Sequence, residues 1–186
     1  MKRILFPLAA ILFLSACNNN PDKKNTEAVT PAAPAVDKPA TSSAGSSIKV
    51  TLTGGANAGS YTASSETATC SMGATGPKSF GNQYSVSGKA ANEFSSLQLI
   101  VDDYEAAKSG TDKFYIKVAF GKVLVGNKYE INGSDNSLAG KKQGSGKLTI
   151  HESGSTKTAT IQGKTADGVA LDATLICSEV IAMPGN

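Results

Sequence analysis

The 186-residue chain has no tryptophan, one histidine, three cysteines and only 6% aromatic residues. With so few aromatic side chains, we expect a core that is built of aliphatic ones. A single imidazole, that of His151, cannot assemble a zinc site, and no cysteine cluster accompanies it. No recognisable serine or cysteine nucleophile motif is present for His151 to serve. The sequence therefore predicts no metal site, no cofactor and no catalytic residues.

An excess of charge is also missing. The chain has 18 basic and 15 acidic residues, a formal charge of +3. Two of the basic residues, Lys2 and Arg3, lie in an N-terminal segment that reads as a removable signal, and without residues 1–16 the counts become 16 and 15, a formal charge of +1. No strongly basic surface is then available to neutralise phosphates, so we expect no nucleic-acid partner.

The first residues follow the pattern of an export signal. Lys2 and Arg3 precede an apolar run over residues 4–14, which only Pro7 interrupts. This run is too short to span a bilayer as a stable helix. Small residues and a cysteine follow it, so the segment is either a lipoprotein signal or an ordinary secretory signal with an incidental cysteine.

The tetrapeptide Leu14-Ser15-Ala16-Cys17 resembles the lipobox of bacterial lipoproteins. The resemblance implies cleavage between Ala16 and Cys17, attachment of diacylglycerol to the Cys17 thiol, and acylation of the new amine by fatty acids such as palmitate. Membrane lipid is then a partner through Cys17, because two or three acyl chains hold a protein stably in a bilayer. Asn18 in place of an aspartate implies the outer membrane in a Gram-negative host; otherwise the anchor lies on the outer face of the plasma membrane.

After the signal peptide (1–16), the lipidated cysteine begins a tether over residues 17–47. Four of the seven prolines occur here among Ala, Thr, Ser, Asn and Lys, without apolar periodicity. Such a segment cannot bury enough surface to offset its ordering entropy, so we expect a disordered linker with an r.m.s. span of about 30 Å. A β-domain over residues 48–182 and a short tail over 183–186 complete the organisation.

The remaining sequence alternates apolar and polar residues in short runs, separated by turns. All 19 glycines lie after residue 44. Residues 114–120 show the clearest alternation, and only residues 103–108 indicate a helix. This pattern predicts an all-β fold, an antiparallel β-sandwich or small barrel of about eight or nine strands.

Two hairpins near the C-terminus have a predictable register. A two-residue turn at Gly154-Ser155 pairs Leu148 with Ile161, which keeps the apolar side chains on one face. In the following hairpin, a three-residue loop over 166–168 with Gly168 left-handed pairs Ile161 with Ala173. A two-residue turn at Asp167-Gly168 would mix the faces instead.

Three local patterns suggest chemistry. Gly144-Ser145-Gly146-Lys147 lacks the preceding glycine and following Ser or Thr of a phosphate-binding loop, so it predicts a turn. Oxygens of an acidic group could bind calcium, although the EF-hand spacing is absent and a solvated turn is the alternative; its members are Asp102, Asp103 and Glu105. Three tyrosines could line one face that binds sugar or peptide, namely Tyr104, Tyr115 and Tyr129.

Cys70 and Cys177 remain once Cys17 is consumed by lipid. In an oxidising compartment, two cysteines in one small domain pair. Cys177 is in phase with the apolar positions of its strand, which places it on the buried face. We therefore expect a Cys70–Cys177 disulfide.

The layout of lipobox, tether and β-domain with one early and one late cysteine is similar to that of small mycobacterial lipoprotein antigens. Thr69-Cys70-Ser71 and Leu175-Ile176-Cys177-Ser178 carry this resemblance. It implies a surface antigen or carrier and assigns no active residue. We expect a non-catalytic, lipid-anchored module that binds an unidentified protein or glycan, or has a structural role. The alternative is an envelope enzyme or enzyme inhibitor with a site on its loops.

Overall fold

The computed structural model describes residues 46–64, 68–122 and 125–183. The predicted signal peptide, the lipobox with Cys17, the tether up to residue 45 and the last three residues of the tail lie outside the described residues. Within the described part, no helix has both the length and the apolar character that crossing a membrane requires.

Two β-sheets form the described domain. In spatial order, sheet A contains β2 (Gly59–Ser64), β1 (Ser47–Thr53), β10 (Ala170–Cys177), β9 (Thr156–Lys164) and β8 (Ser145–Ser153). Sheet B contains β11 (Ile181–Ala182), β3 (Ala68–Met72), β4 (Phe80–Ser85), β5 (Phe94–Val101), β6 (Phe114–Phe120) and β7 (Lys128–Asn132). Neighbouring strands are antiparallel except for the parallel pair β11–β3. The predicted all-β sandwich is confirmed.

Two of these eleven strands have no counterpart in the sequence patterns. β2 reads Gly-Ser-Tyr-Thr-Ala-Ser and offers no aliphatic alternation, while β11 has only two residues. These two strands are defined by their hydrogen-bonded neighbours, β1 and β3, rather than by an apolar pattern in their sequences. The helix α1 (Tyr104–Lys108) lies where the sequence predicts one, with Asp103 as its N-cap, and a 3-10 turn (Ser137–Ala139) follows β7.

The core is not purely aliphatic, and this expectation was wrong. Aromatic side chains join the aliphatic ones between the sheets; they include Phe80, Tyr84, Phe94, Phe114, Phe120 and Tyr129. The ring of Phe120 meets those of Tyr61 and Tyr129 edge to face, with centroids 4.8 and 5.8 Å apart. Composition misled because aromatic residues are few but concentrated in the interior, where each buries a large area.

Both predicted hairpin registers are confirmed. Leu148 pairs with Ile161 across β8 and β9, and Gly154 begins the two-residue turn with φ +59°. Ile161 pairs with Ala173 across β9 and β10. The three-residue loop is closed by a hydrogen bond from the backbone N of Thr165 to the carbonyl of Val169 (3.0 Å), and Gly168 has φ +88°.

The disulfide between Cys70 and Cys177 is present, with Cα atoms 6.0 Å apart. It joins β3 of sheet B to the last residue of β10 in sheet A, so it links the two layers of the sandwich. Both cysteines are buried, and the side-chain amide of Asn82 donates to the Cys70 sulfur at 3.0 Å.

The register of sheet A defines two ends of the domain. At the proximal end, the chain begins β1 at Ser47, opposite Ile176 of β10, and the β8–β9 turn lies nearby. At the distal end are the loop between β1 and β2 and the loop between β9 and β10. The strands run from Ser47 to Ala182, beside the predicted boundaries of 48 and 182.

Candidate functional site

A groove of about 180 Å³ crosses the outer face of sheet B. The antiparallel register of β3, β4 and β5 produces it. Two adjacent rows of outward side chains form its floor. One row contains Ser71, Gly81 and Ile100, and the other contains Thr69, Gln83 and Gln98. Neighbouring residues in a row lie one strand spacing apart, about 4.8 Å.

One wall of the groove is the loop between β3 and β4, over residues 73–79. Its turn is fixed by the Ser79 hydroxyl, which donates to the carbonyl of Gly76 (2.8 Å) and accepts from the backbone N of Thr75 (3.1 Å). The side-chain amide of Asn136 donates to the Thr75 carbonyl at 3.0 Å, so the segment after β7 supports this wall from outside. The loop therefore has a defined position beside the floor.

Met183, which is 43% exposed, also lines the groove, beside the start of this loop at Gly73. Its backbone N donates to the carbonyl of Met72 at 2.9 Å, which extends the pairing of β11 with β3. Ile100 in the floor is only 4% exposed. These two residues belong to the apolar part of the lining, together with Ala74, Phe80 and Leu99.

Gly81 keeps the floor low. A Cβ atom at this position would lie 3.0 Å from the carbonyl oxygen of Leu99, a tight contact that requires this carbonyl to shift slightly. A larger residue would also place its side chain in the groove. A glycine inside a strand often marks such a close approach, and here it makes room beside Gln83 and Gln98.

The lining residues of the groove carry no ionisable group, because they are hydroxyl, amide or apolar. The amides of Gln83 and Gln98 each offer two donors and an acceptor. In the part of the chain that the structure describes, neither amide has a side-chain hydrogen bond. The groove can therefore hydrogen-bond an uncharged ligand that has both donors and acceptors, and can pack against one apolar side of it.

Three other concavities are less suited to such a ligand. Two shallow depressions of about 210 and 430 Å³ lie on sheet A and include Lys49, and the first also includes Asp172. A third, of about 270 Å³, lies beside β7 and is lined by Lys128, Glu130 and Asp167, among others. All three place charges at the site, unlike the groove on sheet B.

The three predicted calcium candidates do not converge. Asp102 accepts hydrogen bonds from the Ser134 hydroxyl and from the backbone N of Asp135 (2.7 Å). Asp103 caps α1 through the backbone N of Ala106, and that hydrogen bond lowers the pKa of its carboxyl. Glu105 is paired with a lysine of its own helix. Among the described residues, no group of three His, Cys, Asp or Glu side chains is placed to hold a metal.

The three tyrosines also occupy separate places, so the prediction of a common aromatic face was wrong. Tyr104 lies on α1, and Tyr129 lies in the core at the distal end. Tyr115 lies on the outer face of sheet B, 3.4 Å from Glu130 through its hydroxyl, and burial raises its pKa to about 12. One tyrosine lies on the helix, one on the outer face of sheet B and one in the core. The spacing of tyrosines in the sequence could not show this separation.

Glu152 is the centre of a charged cluster at the proximal end, which we call the Glu152 cluster. Its carboxylate lies 2.6 Å from the ammonium of Lys157 and 2.9 Å from that of Lys108, and accepts from the Tyr104 hydroxyl. Lys157, followed by Tyr104 and Lys108, lowers the Glu152 pKa to about 2. Burial, followed by the Glu152 hydrogen bond, raises the pKa of Tyr104. The cluster joins α1 to the β8–β9 hairpin and is satisfied internally.

Asn57 plays the corresponding role at the distal end. It lies in the loop between β1 and β2 and is 3% exposed. Its side-chain oxygen accepts from the Tyr129 hydroxyl (3.1 Å) and from the amide of Asn127 (2.7 Å), while its backbone N donates to the Tyr129 oxygen (3.0 Å). This Asn57 network joins sheet A to sheet B without any charge.

Of the other residues that the sequence analysis considered, His151 is exposed on β8. Gly144-Ser145-Gly146-Lys147 is the start of β8. Ala16 and Cys17 lie outside the described residues. Sequence reasoning missed the groove because outward glutamines resemble any solvated strand face. The one local signal was Gly81, a glycine between Phe80 and Asn82 inside a strand.

Comparison of the chain with protein-family models, with curated proteins and with solved structures found no match. The candidate site therefore depends on its own geometry and chemistry.

Proposed function

We propose that the protein is a lipid-anchored, non-catalytic binding module of the bacterial cell envelope. The lipobox-like Leu14-Ser15-Ala16-Cys17 supports the anchor, and Asn18 supports outer-membrane sorting in a Gram-negative host. A tether over residues 17–47 connects acylated Cys17 to the start of β1. The domain is then held near the membrane at its proximal end, while its sheet faces remain available to a ligand.

The groove on sheet B is the observation that supports binding. It brings hydroxyls and amides together with Ile100 and Met183, and no charged side chain lines it. Uncharged donors and acceptors beside an apolar surface match a saccharide, which presents many hydroxyls on a partly apolar ring. A neutral stretch of envelope glycan is therefore the ligand class that we propose. Acidic or basic polymers would meet no counter-charge inside the groove.

The anchor is tested by Cys17→Ser in the full chain. We expect incorporation of labelled fatty acid to be lost and the protein to move from the membrane fraction to the soluble exported fraction. Retention of labelled lipid by the variant would contradict the lipobox assignment. The melting temperature of the domain should not change, because Cys17 lies far from the strands in sequence.

The ligand class is tested with immobilised neutral and charged envelope glycans. A net hydrogen bond contributes about 0.5–1.5 kcal/mol, so Gln83→Ala with Gln98→Ala should weaken binding of a neutral glycan by roughly fivefold to a hundredfold. Gln162→Ala, an exposed glutamine on sheet A, is the matched control and should leave binding unchanged. Equal loss in the control, binding only to charged glycans, or turnover of the glycan would each overturn this proposal.

A further inference from the structure

The four edge strands of the two sheets are not equally protected. Natural proteins block the free backbone groups of sheet edges with charged side chains, proline, bulges, short strands or covering segments. β11 is short, with two residues. β8 carries Lys147 and Glu152 and exchanges backbone hydrogen bonds of 2.8 Å between Leu148 and Thr111. Two of the edges therefore show such devices.

The edge strand β7 is protected in the same way. It carries Lys128 and Glu130, and the backbone of Asn132 exchanges hydrogen bonds of 2.7 and 3.0 Å with Gln143. β2 differs from these three strands. It has six residues and no charge, proline or register shift, and β1 is its only pairing partner among the described residues. Within the described ranges, its outer edge is therefore an open template for another strand.

We propose that β2 pairs with β2 of a second copy of this chain, forming a dimer with a continuous ten-stranded sheet. The sequence of β2 is complementary to itself when it runs antiparallel about Thr62. Ser60 then faces Ser64 of the partner subunit, and each Thr62 faces its own copy. On the inner side, the large Tyr61 faces the small Ala63 of the partner subunit. The Ser60–Ser64 and Tyr61–Ala63 contacts each occur twice and the Thr62–Thr62 contact lies on the two-fold axis, as the symmetry requires.

The exposure of β2 agrees with this pairing. Ser60, Thr62 and Ser64 are exposed on the outer face, while Tyr61 and Ala63 pack against the core of their own domain. None of the residues that face each other across the two copies of β2 is charged, so no like-charge repulsion destabilises the pairing. The hydroxyl-bearing outer face of sheet A would continue across the seam.

Pairing of six-residue edges alone buries less area than stable interfaces do, so the dimer should be weak in dilute solution. Confinement of both copies on one membrane would raise their effective concentration without any new contact. Dimerisation goes beyond the proposed glycan binding, because it uses β2 on sheet A and not the groove on sheet B.

The test is disulfide trapping in the full chain, exported into an oxidising compartment. Cβ atoms of directly opposite residues lie about 4.5–5.5 Å apart, close to the range that a disulfide spans. Thr62→Cys should therefore give a covalent homodimer on a non-reducing gel. Thr160→Cys is the matched control, since it is exposed in the same row of sheet A but on the interior strand β9. The control should give no dimer band.

A second set of variants tests the register. Ser60→Cys should cross-link with Ser64→Cys when the two chains are produced together, and neither should cross-link with itself. This pair of variants tests the proposal if Thr62→Cys does not fold. Mass spectrometry would reveal such misfolding as loss of the Cys70–Cys177 disulfide. Cross-linking of Thr160→Cys, self-linking of Ser60→Cys, capture of a different protein, or absence of every expected dimer would overturn the proposal.

Discussion

The two ends of the sandwich are fastened by different chemistry. At the proximal end, the Glu152 cluster uses ionised groups that are partly exposed, with 38% of the Glu152 side chain accessible. At the distal end, the Asn57 network uses neutral groups, of which Asn57 and Tyr129 are almost entirely buried. The first connects sheet A with α1, which lies between β5 and β6, and the second connects sheet A with β7 of sheet B. Solvent and salt weaken exposed ion pairs, whereas leaving a buried polar group without a partner is costly. We therefore expect the Asn57 network to contribute more to stability than the Glu152 cluster.

The largest expected effect comes from the disulfide, because Cys177 reinforces the proximal end covalently. The two cysteines are separated by 107 residues. For a loop of about 100 residues, the chain-entropy relation gives about 4.7 kcal/mol. We expect Cys70→Ala with Cys177→Ala to lower the melting temperature strongly and to increase protease sensitivity. Calorimetry and limited proteolysis measure both, and an unchanged melting temperature would contradict the proposed reinforcement.

The next effect is expected at Asn57. Asn57→Ala removes the acceptor of the Tyr129 hydroxyl, and leaving a buried donor unpaired costs about 1–3 kcal/mol. We expect the lower part of that range, because the variant also removes the buried Nδ2 of Asn57, which has no partner among the described residues. Asn127→Ala is the control, since it removes one bond to the same oxygen from an exposed position. Chemical denaturation should show the smaller loss for the control. If Asn127→Ala costs as much, burial is not the source of the difference between the two ends.

A pair of glycines compares the turns at the two ends. Gly168 has φ +88° in the distal loop and Gly154 has φ +59° in the proximal turn, and a Cβ atom at either would meet nothing within 4 Å. Alanine should therefore cost only backbone strain, about 1–2 kcal/mol. We expect both Gly168→Ala and Gly154→Ala to lower the free energy of unfolding by a similar amount, because φ is positive at both positions and glycine adopts such values without strain. A variant whose unfolding free energy equals that of the wild type would contradict this.

The smallest effect is expected at Glu152, and it should depend on pH. Its pKa is lowered from 4.5 to about 2, so its contribution is present above pH 4.5 and is lost as pH falls towards 2. Glu152→Gln should lower the melting temperature at neutral pH, and the difference from the wild type should vanish near pH 2 and shrink at high salt. Glu105 pairs with Lys108 on α1, and Glu105→Gln should lower the melting temperature less. A difference that persists at pH 2 would contradict the assignment.

What could be predicted from the sequence was local. Gly154 and Gly168, set between alternating apolar runs, determine two registers, because a slip by one residue would invert the buried face. The helical run over residues 103–108 predicts the position of α1, whereas the role of Asp103 as its N-cap emerges only from the structure. The cysteine pairing followed from compartment and count. These features depend on residues that are close in sequence or have a single possible partner.

What could not be predicted depends on distant segments. The groove needs β3, β4 and β5 side by side, with Met183 brought from the end of the chain. β2 contains too few aliphatic residues to show alternation, and its place is set by pairing with β1. The aromatic core escaped notice because composition counts Phe120 and Tyr129 but does not locate them.

The pairing of β1 with β10 in sheet A has a consequence for how the domain forms. β1 is the first of the described strands, yet one of its two partners is β10, whose Ile176 pairs with Ser47. Ribosomes produce β1 first and β10 almost last, so sheet A cannot be completed until nearly the whole chain has been made. Contacts of such large sequence separation slow folding. We expect truncation before residue 170 to prevent folding outright. We expect the rate of refolding to be limited by the pairing of β1 with β10.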